Sequence, residues 1–116
     1  MKFDFIRATL PGFALAVSAF SISSGAFALD EEAAKALAKK NDCTKCHAID
    51  KDKKATSYKK IAAKYKGKAD AEEKLIKNIT TGPKVKLTDG TEEDHKILNT
   101  KDAKETKNLV QWILAQ

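Results

Sequence analysis

Arginine is all but missing from this chain: among 22 lysines and arginines, Arg7 is the only arginine. Base-edge recognition in nucleic acids leans on the forked guanidinium, so the formal charge of +6 does not mark a nucleic-acid partner. Methionine is as scarce, with Met1 alone, and metal-ligating side chains are few: Cys43, Cys46, His47 and His95. A structural zinc site wants four ligands, commonly with a second Cys or His pair, and outside Cys43 to His47 only His95 remains, one ligand short. A thioredoxin-like dithiol would sit near a βαβ pattern, whereas the surroundings of Cys43 are rich in Ala, Lys and Glu without a β-branched run. A disulfide across so short a loop would add little stability. Long apolar runs are missing too. The stretch from Phe13 to Phe20 is short, and Pro11, Gly12 and nearby serines interrupt its surroundings, so it does not span a bilayer comfortably.

What is present is Cys43-Thr44-Lys45-Cys46-His47, a C-x-x-C-H pentapeptide of the kind that attaches a c-type haem. On one helical turn, positions three and four apart share a face, so both sulfurs and the imidazole can meet one flat macrocycle. Cys43 and Cys46 are therefore the expected thioether anchors of one covalently bound haem c, and His47 the expected proximal iron ligand.

The start of the chain reads as a targeting segment. Lys2 and Arg7, the apolar run, and the small-x-small triplet Ala26-Phe27-Ala28 predict an export signal over residues 1–28, with the mature chain beginning at Leu29. No cysteine follows closely enough for a lipid anchor, so no stable membrane anchor is expected after cleavage; an uncleaved anchor is the alternative. Removing Lys2, Arg7 and Asp4 lowers the formal charge from +6 to +5. Residues 29–116 then form one small domain, whose thin core calls for a staple that a covalent haem can provide.

Four helices are expected in that domain. Asp30 caps the first, which carries Ala34, Leu37 and Ala38 on one stripe and runs towards Cys43. Thr56 or Ser57 caps a second, with Ile61, Ala62 and Tyr65 on one side and Gly67 as its stop. Asp70 opens a third in a capping-box variant with Glu73, and Thr81-Gly82-Pro83 ends it. Thr100 caps the last, where Ala103, Thr106, Leu109, Val110, Ile113 and Leu114 recur at helical spacing, and this helix should pack across the first. Between Pro83 and Thr100, Val85 and Leu87 alternate with lysines before Asp89-Gly90, the pattern of a small hairpin.

Over essentially its whole length the mature chain resembles the small bacterial class I c-type cytochromes. The resemblance lies in the short helix ahead of the pentapeptide, the continuation His47-Ala48-Ile49-Asp50, Tyr58 at the start of the second helix, and the closing Leu109-Val110-Gln111-Trp112-Ile113-Leu114. It implies an all-α, class I cytochrome c fold with about four helices around one covalently attached haem. The first and last helices cross, and one haem edge stays exposed. It also implies a periplasmic location, because bacterial haem attachment is completed outside the cytoplasmic membrane.

Two departures from the family pattern stand out. The family normally supplies a methionine as sixth ligand from the loop before the last helix, and here Met1 lies in the segment expected to be removed. His95 stands at about that place, so His47 and His95 are expected as the two axial ligands. The alternatives are a lysine such as Lys84, Lys86 or Lys96, Asn99, or an open or water-bound position. The second departure is Ala55-Thr56, where the family often has Gly-Pro with a carbonyl that accepts from the proximal imidazole. A ligating histidine needs such an acceptor, so another carbonyl near Lys54 or Ala55 should serve.

Single-electron transfer between redox partner proteins is the function these parts support, and no enzymatic activity is expected. A second imidazole in place of a thioether should lower the reduction potential. Lys39, Lys40, Lys45, Lys51, Lys53 and Lys54 flank the attachment site and suggest a surface that steers acidic partners, or else an ordinary solvated face. The competing function is a haem protein with an open or displaceable sixth site that binds oxygen, nitric oxide or peroxide, using Thr88, Thr91, Lys96 and Asn99 as distal donors. One small domain leaves little room for such a cavity. Nothing in the pattern sets the oligomeric state.

Overall fold

The computed structural model describes residues 28–116, together with Gly12; the expected signal segment, residues 1–28, lies almost wholly outside the described residues. Helix α1 (Glu31–Lys40) opens where the Asp30 carboxylate accepts from the Ala33 amide at 3.0 Å, with Glu31 and Glu32 in the first turn and Lys39 and Lys40 in the last. Those charges complement the helix dipole, and Ala34, Leu37 and Ala38 turn inward as the spacing predicts. The helix does not run into the pentapeptide. Asn41 ends it, and Asp42 takes a left-handed conformation with φ of 58°, so Cys43–Cys46 forms a separate short helix, α2.

Helix α3 (Tyr58–Tyr65) is capped by Ser57, whose hydroxyl accepts from the Lys60 amide at 3.2 Å. Helix α4 (Ala71–Thr81) corrects the expected capping box. Asp70 has φ of −95° and ψ of 6°, outside the extended conformation that folds a capping side chain over the first amides, and its carboxylate pairs with Lys74 at 2.8 Å instead. The hairpin is present as antiparallel strands β1 (Lys84–Lys86) and β2 (Glu92–Asp94), in a register that sets Lys84 opposite Asp94 and Lys86 opposite Glu92. Opposite charges face each other across the ladder, which favours this register. Helix α5 (Ala103–Leu114) starts one cap later than Thr100. Asp102 accepts from the Lys104 amide at 2.8 Å, while Thr100 sits two residues too early and donates to Glu105 at 2.6 Å.

Among the described residues the molecule is thus five helices and one hairpin, the extra helix being the pentapeptide itself. Helix α5 is the hub against which α1, α3 and α4 pack. Leu109, Val110, Trp112 and Ile113 meet Ala34, Leu37 and Ala38 from α1, Tyr58 from α3 and Leu75 from α4 in one core. Asn108 clips the start of α1 to the middle of α5: its carbonyl accepts from the Asp30 amide at 2.8 Å and its amide donates to the Asp30 carbonyl at 2.7 Å. Asn108→Ala removes both bonds and should cost about 1–3 kcal/mol of stability. A lowered thermal midpoint with an unchanged visible spectrum is the expected result.

Candidate haem site

The turn from α1 into α2, the hairpin, the segment after it and the inner faces of α3, α4 and α5 enclose a cleft. It consists of adjoining cavities of about 300 and 240 Å³ that share Cys43, His47, Ile79, Val85, Leu87 and His95 on their walls. Cys46 borders the first of them. All four residues singled out from the sequence, Cys43, Cys46, His47 and His95, therefore meet at one place. Ile79, Val85 and Leu87 give the cleft an apolar lining suited to a flat aromatic macrocycle.

His47 follows directly on α2, and its ring lies against Tyr58 in a stacked arrangement, with centroids 5.2 Å apart and planes at 18°. Tyr58 in turn meets the edge of Trp112 at 5.3 Å. The His47 Nδ1 lies 2.6 Å from the Thr56 carbonyl oxygen. A carbonyl only accepts, so Nδ1 carries the proton and Nε2 keeps its lone pair. Burial pushes the His47 pKa down against the opposing pull of the Thr56 carbonyl, with His95 adding to the lowering, a direction that favours the neutral ring.

His95 follows β2 directly. Its Nδ1 lies 2.9 Å from the Lys96 carbonyl, so Nε2 is again the nitrogen left free, and its own amide donates to the Pro83 carbonyl at 2.9 Å. The two imidazoles face each other with centroids 6.3 Å apart and planes inclined by 35°. Neither cysteine is bridged to the other. Burial raises the Cys43 thiol pKa above its usual value, so it stays protonated there.

Of the other nitrogen donors considered for the sixth position, Lys84, Lys96 and Asn99 are engaged or remote, and Lys86 is neither. The Lys96 ammonium donates to Asp42 at 2.9 Å, and Lys84 lies beside Asp94 at 3.5 Å. Neither Lys84 nor Asn99 borders the cleft, whereas Lys86 borders its second cavity.

Sequence reasoning placed an acceptor for the His47 ring near Lys54 or Ala55, and in the structure it is the carbonyl of the adjoining Thr56. Sequence reasoning missed what holds the segment from Thr88 to Asn99 over the cleft. Thr88 donates to the Lys53 carbonyl at 2.8 Å, Leu98 to the Ile79 carbonyl at 2.7 Å, and the Asn99 amide to the buried Asn41 side chain at 2.7 Å. Lys96–Asp42 and Lys54–Glu93, each 2.9 Å, add ion pairs, but exposed pairs contribute little. The backbone bonds are the stronger fastening. These partners are 19 to 58 residues apart, so no local pattern announces them.

A cytochrome c family model matches residues 31–116. The chain belongs to the cytochrome c family. Among solved structures, the class 1 cytochrome MtoD from Sideroxydans lithotrophicus ES-1 is 56% identical with a TM-score of 0.73, over 76% of this chain and 97% of that one. Nitrosomonas europaea cytochrome c552 is 31% identical with a TM-score of 0.58, over 70% and 96% of the respective chains. The cytochrome c-551 of Pseudomonas aeruginosa is 41% identical over 61 residues, which is 53% of this chain and 56% of that protein. Cytochrome c-551 of Allochromatium vinosum is 39% identical over 46 residues, or 40% and 49%. The chain spans about half the length of these curated relatives. Membership in the cytochrome c family brings one covalently attached haem c, and the apolar cleft with two cysteines and two imidazoles on its walls fits that group.

Proposed function

We propose that this cytochrome is a periplasmic monohaem electron carrier, not an enzyme. Cys43 and Cys46 anchor the haem through thioethers, and His47 and His95 hold its iron from opposite sides. The observation that carries this reading is the facing pair of imidazoles. Two metal–imidazole bonds of about 2 Å each, with half a ring at either end, span roughly 6 Å, in keeping with the centroid distance of 6.3 Å. Both Nδ1 atoms are directed at backbone carbonyls, which orients both Nε2 lone pairs for ligation and raises their basicity.

Bound there, the haem iron supplies one-electron chemistry between its ferrous and ferric states. The chain's part is to hold both imidazoles still: Tyr58 backs His47, the Thr56 carbonyl fixes its tautomer, and the hairpin holds His95. A site closed on both faces by fixed ligands favours electron transfer over binding a small molecule, and a second imidazole in place of a thioether lowers the potential.

The partners suited to this carrier are proteins with an acidic docking surface. Of the six lysines flanking the attachment site, Lys45 pairs with Asp42, Lys54 with Glu93, and Lys53 donates to the Thr44 carbonyl. Lys39, Lys40 and Lys51 are left to steer a partner. Export rests on residues 1–28 being cleaved; among the described residues no helix is long and apolar enough to cross a membrane.

The test is the purified periplasmic protein. Its N-terminus should be Leu29, its mass that of residues 29–116 plus one haem resistant to acid extraction. The spectrum should be low-spin in both oxidation states, without the charge-transfer band of methionine sulfur. A high-spin spectrum or rapid carbon monoxide binding would establish the open sixth site instead.

A further inference from the structure

We infer that Gly82 is a positioning residue for His95, setting how far the distal imidazole reaches across the cleft. The inference rests on His95 being the sixth ligand. Gly82 closes α4 with φ of 63°, a left-handed conformation that is common at helix ends and by itself calls only for glycine or asparagine. Its surroundings ask for more. A Cβ at this position would lie 2.7 Å from the His95 carbonyl oxygen and 2.9 Å from Cγ1 of Ile97. A separation of 2.7 Å between carbon and oxygen is repulsive, and the closer atom is backbone, which cannot rotate aside as a side chain can.

The His95 backbone is also tied to the residue after Gly82, since the His95 amide donates to the Pro83 carbonyl at 2.9 Å. The end of α4 and the end of β2 therefore lie against each other at Gly82, without a side chain between them. Any Cβ there must push residue 95 away from α4 or break the bond to Pro83. Either change shifts the ring that faces His47 at 6.3 Å. A metal–nitrogen bond tolerates only a few tenths of an ångström, so a small backbone displacement is enough to loosen ligation.

Gly67 supplies the control. It too has a left-handed backbone, with φ of 75°, but nothing lies within 4 Å of its Cβ position. Gly67→Ala thus imposes the backbone strain without the collision. Gly82→Asn does the reverse, because asparagine tolerates the left-handed conformation but carries the Cβ. It also keeps the test open if Gly82→Ala accumulates poorly.

The experiment compares the holoproteins of wild type, Gly82→Ala, Gly82→Asn, Gly67→Ala and His95→Ala by ferric and ferrous spectra, thermal midpoint, and the rate of carbon monoxide binding to the ferrous form. Both Gly82 variants are expected to show a high-spin fraction and at least tenfold faster carbon monoxide binding, with Gly82→Asn the more stable of the two. Gly67→Ala is expected to lower the thermal midpoint with wild-type spectra and binding rate. Wild-type spectra and binding rate in either folded Gly82 variant, or the same spectral change in Gly67→Ala, would overturn the positioning role alone. A low-spin spectrum surviving in His95→Ala would overturn the ligand assignment and the inference with it.

Discussion

His95→Ala should turn a low-spin protein into a high-spin one that binds carbon monoxide rapidly when reduced. No second imidazole is at hand, and of the amines considered for this position only Lys86 borders the cleft outside an ion pair. Lys96 pairs with Asp42 at 2.9 Å, Lys84 pairs with Asp94 and does not border the cleft, and Asn99 is outside it. Met1 lies in the segment expected to be removed. The imidazole is lost, and its place on the iron goes to water or to an added small ligand. The substitution falls on a half-buried loop side chain outside the core cluster, so the fold should survive. Loss of the low-spin signature with an unchanged far-ultraviolet circular dichroism spectrum is the expected pair of results. A second arm sharpens the assignment: imidazole added to the variant should restore the low-spin spectrum, because it supplies the nitrogen that the side chain no longer provides. If the variant keeps the wild-type spectrum and potential, the sixth ligand is another residue.

Replacing Cys43 and Cys46 together by alanine should have the largest effect on the protein as a whole. The chain has no other cysteine, so no thioether can form elsewhere. The denatured product should have the mass of the bare polypeptide, and any haem it carries should leave on acid extraction. Stability should fall as well. Ile79, Val85 and Leu87 line the cleft, and without the macrocycle they lose their packing partner. Small domains hold only about 5–15 kcal/mol of net stability, so the loss of so large a packing partner is a major fraction of it. The expected thermal transition is broad and shifted well below that of the wild type. A variant that retained acid-resistant haem would disprove thioether attachment at these two residues.

The parts of the fold that could be read from the sequence are those governed by neighbours three or four residues apart. Asp30 and Ser57 work as caps because each stands directly before a helix in an extended conformation that turns its oxygen onto nearby amides. The same local reasoning set the start of α4 at Asp70 but not its missing cap bond, and it misplaced the cap of α5. A lysine four residues on drew away the Asp70 carboxylate, and Asp102 stood nearer to the start of α5 than Thr100 did. The break at Asp42 was also out of reach, because the residue that ends α1, Asn41, is fixed by a bond from the amide of Asn99, 58 positions away.

The pentapeptide announced the haem because its chemistry is local: two thiols and an imidazole within five residues. His95 was legible chiefly by scarcity, as the one other histidine in the chain. What brings it to within 6.3 Å of His47 is not local at all. It depends on the hairpin register, the bond between His95 and Pro83, and the bare backbone of Gly82 at the end of α4. Thr56 became the proximal acceptor for a similar reason: the loop after the motif folds back so that its carbonyl, rather than that of Lys54 or Ala55, lies against the ring.

The sequence by itself determined the cofactor, the helical stripes and the inventory of candidate ligands, since residue types and short spacings set covalent chemistry and one-sided burial. Tertiary structure decided which of those side chains meet at the cleft, which carbonyl orients the His47 ring, and which lysines lie outside ion pairs. Those outcomes turn on distances between segments far apart in the chain. Such distances exist only once the hydrophobic faces of α1, α3 and α4 have closed on α5 and carried the loops between them into register.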